Sequence, residues 1–300
     1  MVDEYFAGRV SRISPEAPVP IVDIDSHFFV CGGAANVAAN VASLGGEPLL
    51  TGAVGKDHAA SQLHWLLKTK NISPSGIFLE GGRKTTVKTR VIAHNQQVVR
   101  FDQEHRNPVS QKTEKKIVEF LEKTIPKADA VVVSDYGKGA VTQPIAHSLL
   151  SLCRDNGIPS VADSKNFLFL KLEGMTILKP NLAELRRETG IGADGDKSLD
   201  EAVRVFLSNL SPEAVVVTRG EKGMSVFDSH GKRTDISAVA SEVFDVSGAG
   251  DTVLSALSLG LAAGAPVVDA ARLANYAASV VVRKVGTATV SPAELKQAIG

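Results

Sequence analysis

Asp245-Val246-Ser247-Gly248-Ala249-Gly250-Asp251, followed at once by Thr252-Val253-Leu254-Ser255-Ala256-Leu257, joins a small-residue turn to a helix-forming run. Gly248 and Gly250 lack a Cβ, so the backbone there can turn sharply and present consecutive N–H groups to a ligand. The helix behind them starts with unpaired N–H groups and a partial positive charge, which together make an anion site. A carboxylate at Asp251 suits a helix start but repels a bound phosphate. The two fit together if Asp251 faces an acceptor hydroxyl and takes its proton while the Gly248, Ala249 and Gly250 amides hold a migrating phosphoryl. The same residues also fit an N-capping Asp after a Gly-rich turn.

Working outward, the 300 residues suit one large α/β domain or two ordinary ones. The chain is 44% hydrophobic and 22% charged, as expected of a globular protein with a sizeable core. Lys plus Arg and Asp plus Glu balance at 33 each and aromatics are 5%, so neither a nucleic-acid nor a membrane partner is expected. Cys31 and Cys153 are far apart and lack metal-ligand spacing, which suits two buried thiols in a reducing cytoplasm. Met1-Val2-Asp3-Glu4-Tyr5 is not signal-peptide-like, and no apolar run approaches membrane-spanning length. The expected location is cytoplasmic.

Pro15, Pro18 and Pro20 break any early helix, and the first residues read as irregular. Val19–Asp25 and His27–Cys31 read as strands. Gly32-Gly33-Ala34-Ala35-Asn36 opens a small-residue helix ending at Gly45-Gly46, with Asn36 placed either to reach a cleft or to satisfy local backbone groups. A strand within 48–55 and a helix over 57–70 begin a β/α alternation. It is interrupted by two period-two runs, 85–93 and 97–102, joined by the turn candidate His94-Asn95-Gln96. With the strands before residue 32, this hairpin predicts a small sheet beside the main fold, at about 9–31 and 85–103, serving as lid, dimer contact or both. The alternation then resumes. Four apolar strands end in polar or glycine clusters: Asp135-Tyr136-Gly137-Lys138-Gly139, Asp163-Ser164-Lys165-Asn166, Lys179-Pro180-Asn181-Leu182-Ala183-Glu184 and Thr218-Arg219-Gly220-Glu221-Lys222-Gly223. In a parallel sheet these ends lie along one edge, where ligands bind. The last third reads as helical.

These motifs, in this order, resemble those of the ribokinase/PfkB-type sugar kinases: the Gly32-Gly33…Asn36 pair, Asn181…Glu184, Thr218…Gly220 and the Asp245–Asp251 loop. The resemblance covers nearly the whole chain. It implies one α/β domain over 1–300, a three-layer α/β/α fold with a mainly parallel central sheet plus a small β-sheet lid. Ser11-Arg12-Ile13-Ser14-Pro15-Glu16, Asn95-Gln96-Gln97, Ser134-Asp135-Tyr136-Gly137-Lys138-Gly139 and Gly286-Thr287-Ala288-Thr289 resemble the branch that phosphorylates D-glycero-D-manno-heptose 7-phosphate at O1, in ADP-heptose and lipopolysaccharide core synthesis. Open beside it are another PfkB-type sugar or nucleoside kinase and a non-catalytic sugar- or nucleotide-binding protein.

The resemblance implies that Asp251 is the general base, that ATP is the donor, and that Mg²⁺ is held by Asn181 and Glu184 through waters. Without it, Glu184 reads as a carboxylate favouring a helix dipole. Thr218, Gly220 and Gly223 would meet nucleotide phosphates, and Asn275, Ala278 and Gly286 the adenine. Asp3 and Asn36, beside Gly32 and Gly33, would meet sugar hydroxyls. Arg90, Arg100, Lys138 and Lys165 are the candidates for the substrate's own phosphate, and each also reads as a solvated surface cation. A monovalent cation such as K⁺ beside the Asp245–Asp251 loop, and a homodimer through the lid strands, are further implications. Two departures stand out. Members begin with an apolar strand ending in Gly-Asp shortly before the position of Asp3, so the resemblance implies a first core strand that this sequence lacks, which would leave strand edges open. Ser247 stands where Thr is frequent and keeps the hydroxyl.

Overall fold

In the computed structural model, which describes residues 1–300 apart from 95, 193–194 and 240–242, the apolar runs become strands and the amphipathic ones helices. In chain order the first half holds β1 (Val2–Ile13), β2 (Pro20–Cys31), α1 (Ala34–Ser43), β3 (Thr51–Val54), α2 (His58–Thr69), β4 (Gly76–Leu79), β5 (Val87–Ala93), β6 (Gln96–Gln103), α3 (Gln111–Thr124), β7 (Val131–Asp135) and α4 (Gln143–Asn156). The second holds β8 (Ser160–Ser164), α5 (Phe167–Leu170), β9 (Ile177–Leu178), α6 (Leu182–Thr189), α7 (Asp196–Leu210), β10 (Ala214–Thr218), β11 (Met224–Asp228), β12 (Arg233–Ile236), α8 (Ala249–Ala262), α9 (Val267–Val281) and α10 (Pro292–Ile299).

The central sheet runs β12-β11-β10-β9-β8-β7, parallel from β7 to β10 and antiparallel beyond. Both faces are covered. Val215 and Val217 pack into the layer of α3, α4 and α7, whereas Ala214 and Val216 pack into that of α8 and α9. A period of two with both phases apolar is what a doubly covered strand requires. The fold is therefore the expected three-layer, ribokinase-like α/β/α arrangement.

The smaller sheet has the order β2-β1-β5-β6, with β1 and β5 parallel and the outer pairs antiparallel. Here the reading of the first residues as irregular is corrected, because β1 is a continuous strand from Val2. Likewise 20–31 is a single strand, with no turn at Ser26. Tyr5 buries fully and stacks on Phe28 with ring centroids 5.2 Å apart, so cross-strand pairing outweighs the missing alternation. Asn95, in the hairpin turn and in one of the resemblance motifs, lies outside the described residues.

β3 and β4 form a separate parallel pair. Between β3 and β7 lies a cavity of about 540 Å³, with Ala35, Ala38, Val54, Ile117, Leu121 and Val133 on its walls. Among the described residues β3 is hydrogen-bonded only on its β4 side and β7 only on its β8 side.

Candidate active site

The C-terminal ends of β7, β8 and β9 bring Tyr136, Asp163 and Lys179 to the start of α8. Gly248, at φ 79°, turns the chain into α8, and Asn36 Nδ2 stands only 2.8 Å from where a Cβ would be. Ala249 N–H reaches Val246 O and Thr252 N–H reaches Gly248 O. Among the described residues, Gly250 and Asp251 N–H have no acceptor outside the helix. They are the open donors of the helix start.

Asp251 is 4% exposed. Its Oδ2 accepts from Asn36 Nδ2 at 2.9 Å and its Oδ1 from the Tyr136 hydroxyl at 2.7 Å. Burial pushes its pKa up to about 6, against those two donors and Lys179, while Asp163 adds to the rise. Lys179 is itself buried, and burial works against its charge. The Asp163 carboxylate, 2.7 Å away, together with Glu184 and Asp251, outweighs that and raises its pKa. The same pair flanks Gly250, whose Cβ position is 3.9 Å from both Asp163 Oδ2 and Lys179 Nζ.

Asn181 and Glu184 form a capping box at the start of α6. Asn181 Oδ1 accepts from Glu184 N–H at 2.8 Å, and Glu184 Oε2 from Asn181 N–H at 2.9 Å. Lys165 ion-pairs the other Glu184 oxygen. With each carboxylate oxygen engaged, and with no cluster of three His, Cys, Asp or Glu among the described residues, this donor set fits a hydrated ion touched through water, not a protein-caged one. Thr218 bridges Asn181 at the sheet edge. Gly220 (φ 60°) and Gly223 (φ 81°) shape the following turn, and Gly223 lies against the backbone of Ile236.

Nearer the lid, Asp3 is buried on β1 and level with Lys88 of β5. Arg90 Nη1 stands 3.3 Å from Asp3 Oδ2, with its guanidinium over the Tyr5 ring. Burial raises the Asp3 pKa, against Arg90 and Lys88, and Asp3 Oδ1 has no protein partner among the described residues. A Cβ on Gly32 would stand 2.7 Å from that oxygen. Gly33, at φ 54°, allows the Tyr136 ring to approach, 3.2 Å from its Cβ position.

Not every expected residue joins this cluster as a free group. Arg100 is held by Asp102 at 3.0 Å, and Lys138 by Glu104 at 2.6 Å. Asn275 lines a separate cavity of about 270 Å³ with Ser237, Arg272 and Tyr276, and donates to Ser237 O at 2.7 Å. Ala278 and Gly286 are not on that wall. Gly286 instead packs on Tyr5 and donates to Asp245 Oδ2 at 2.9 Å, tying its loop to the Asp245 turn. Ala278 lies on α9 with Asn275, whereas Gly286 lies in the loop after that helix.

Sequence reasoning left Tyr136, Lys88, Asp163 and Lys179 without roles. Three of them stand in the quoted strand-end clusters, so the signal was position at the sheet edge. Lys88 becomes visible only through strand register. It is half-buried, and among the described residues no carboxylate comes within ion-pair distance. Its ammonium lies 5.2 Å from the Tyr136 ring centroid, and that of Lys165 lies 5.6 Å from it.

A buried carboxylate in the first turn of a helix, at the C-terminal edge of a doubly covered sheet and under a β-sheet lid, defines a sugar-kinase type of phosphotransferase. The chain belongs to the pfkB family of carbohydrate kinases, whose profile matches residues 6–294. It is 42% identical over 299 residues to the bifunctional protein HldE of Trichlorobacter lovleyi, covering 100% of this chain and 61% of that protein. It is 43% identical over 300 residues to the HldE of Citrifermentans bemidjiense, covering 100% and 62%. The chain thus spans about three-fifths of the length of these relatives. Among solved structures, it is similar in fold to Arabidopsis thaliana ribokinase complexed with ribose and ATP (TM-score 0.76, 19% identity, 99% of this chain and 95% of that one). It is also similar to Escherichia coli phosphofructokinase-2 in complex with potassium (TM-score 0.80, 20% identity, 99% and 94%). No described helix is long and apolar enough to cross a membrane.

Proposed function

We propose that this sugar kinase transfers the γ-phosphoryl of ATP to O1 of D-glycero-D-manno-heptose 7-phosphate. The observation that carries the reading is Asp251, buried and doubly hydrogen-bonded within one residue of the open amides of α8. The likeness to HldE proteins and the quoted motifs support the substrate. In this reading the acceptor oxygen attacks the γ-phosphorus, the bond to the β–γ bridging oxygen breaks, and the acceptor's proton passes to Asp251. The Gly250 and Asp251 amides meet charge developing on the phosphoryl oxygens. Asn36 and Asp3 orient the sugar ring. Mg²⁺ bound with ATP supplies charge neutralisation, and Asn181 and Glu184 hold its water shell. Thr218 and Gly220 face the nucleotide, with Asn275 and its cavity on the adenine side. The Asp245 turn is the place for a monovalent cation such as K⁺.

For the acceptor's phosphate, Lys88 is the best-placed cation. Arg90, Arg100, Lys138 and Lys165 each already hold a carboxylate. Burial lowers the Lys88 pKa, and an arriving phosphate favours its charged form. Lys88→Gln is expected to raise KM for the phosphorylated sugar on the order of tenfold with little change for ATP. The lid also leaves Ile24, Phe28, Val99 and Phe101 exposed, and we propose that a second copy covers them.

The deciding experiment is a kinase assay across heptose 7-phosphate, other sugar phosphates, free sugars and nucleosides. The reading predicts the highest kcat/KM on heptose 7-phosphate. It falls if a free sugar or nucleoside is preferred, or if no acceptor is phosphorylated.

A further inference from the structure

Both oxygens of Asp251 are engaged by donors from different parts of the fold. Asn36 comes from α1 and Tyr136 from the loop after β7. A carboxylate with one donor still turns about its last bond, whereas two donors fix its plane. The Tyr136 side is anchored through its neighbours. Asp135, at the end of β7, accepts from Gly137 N–H at 2.9 Å and from Ser164 Oγ at 2.8 Å, so the loop carrying Tyr136 is anchored to β8. Gly137 takes φ 65° to make that turn. Gly33 supplies a surface without a side chain against the ring. The ring in turn lies beneath two ammonium groups, Lys88 from the lid and Lys165 from the loop after β8. One side chain therefore touches the base and both lysines.

We propose that Tyr136 is a positioning residue of the transfer, its hydroxyl setting the plane of the Asp251 carboxylate and its ring seating Lys88 over the acceptor's phosphate. The inference rests on the kinase reading above. Other charged groups act on the same spot: Asp163 and Lys179 beside Gly250, Glu184 behind Lys179, and Asp3 across from the ring. Burial and Asp251 hold the Tyr136 phenol pKa well above its ordinary value, so the hydroxyl stays a donor to the ionised base. That donation favours the ionised form of Asp251.

Tyr136→Phe keeps the ring and removes the donor. The acid limb of its kcat/KM profile should move up by about one pH unit, with kcat near that limb down about tenfold and KM for ATP unchanged. Tyr136→Leu should add a rise of about fivefold or more in KM for the sugar phosphate, because the seat of Lys88 is gone. Carboxyl ¹³C titration of Asp251 in both proteins reads the same shift without turnover. If the wild type phosphorylates its sugar while Tyr136→Phe leaves both the acid limb and the Asp251 titration in place, Tyr136 is packing only and the proposal is overturned. If the wild type phosphorylates nothing, the kinase reading falls and takes the proposal with it, whatever the titration shows.

Discussion

Asp251 sits where its charge is costly, and two consequences follow from the direction of its shift. Its pKa in the folded protein, about 6, lies above that of an unfolded carboxylate, about 3.9. The folded state therefore binds this proton more tightly, and ionisation weakens the fold as pH rises through 6. The cost is fully present at pH 8 and absent below the unfolded value. Activity runs the opposite way, because the base works only when ionised: kcat/KM should climb through pH 6 to a plateau. Asp251→Asn should lower kcat on the order of 10²–10⁴-fold. It should also stabilise the fold by about 1–2 kcal/mol at pH 8, a gain that vanishes by pH 4. Tyr136 can turn its hydroxyl to accept from the new amide, which spares that contact. Urea unfolding at the two pH values, set beside the kinase rate, checks both halves. A variant that keeps near wild-type turnover removes Asp251 from the chemistry.

At the level of elements, the turns after the strands carry the site, and their glycines are not interchangeable. Gly223 holds φ 81° and lies against the carbonyl oxygen of Ile236, so β11 and β12 can close only without a side chain there. Gly223→Ala should cost more than about 2 kcal/mol, seen as a lowered urea midpoint. Gly220 also has positive φ but open space around its Cβ position. Its alanine variant should lose only about 1 kcal/mol. This stretch also shows what the sequence conveyed. The Val/Ile runs of β7, β8 and β10 read as strands because both faces are apolar, and α3 and α4 read as helices from their stripes. β4, β11 and β12 passed unread: four- and five-residue segments with Gly, Ser, Arg and Asp carry too little pattern, and pairing with a neighbour makes them strands. Within the site, Asp251, Asn36 and the Asn181–Glu184 pair stood out through fixed spacing. Tyr136 and Lys88 did not, because their roles come from register between segments 48 residues apart.

For the molecule as a whole, the unusual feature is the break between the β3–β4 pair and the six-stranded sheet. Among the described residues, β7 and β3 each turn an unpaired edge toward the cavity of about 540 Å³, whose walls include Ala35, Ala38, Val54, Ile117, Leu121 and Val133, with Glu47, Lys84 and Asp129 also on its lining. Unpaired edges beside a largely apolar slot are poorly satisfied, and the group that satisfies both at once is an extended strand hydrogen-bonded on its two sides. Met1 reaches the same slot, and burial lowers the pKa of its α-amino group. Attaching about six apolar, β-branched residues upstream of Met1 replaces that ammonium by a neutral amide and offers the slot a strand covered on both faces. Such a chain should melt at least about 5 °C higher than the 300-residue chain. Its amides over 51–54 and 131–135 should exchange more slowly with solvent. An extension of equal length made of Lys and Glu should do neither. If apolar and charged extensions behave alike, the slot takes no strand, and the two sheets are stable as separate units.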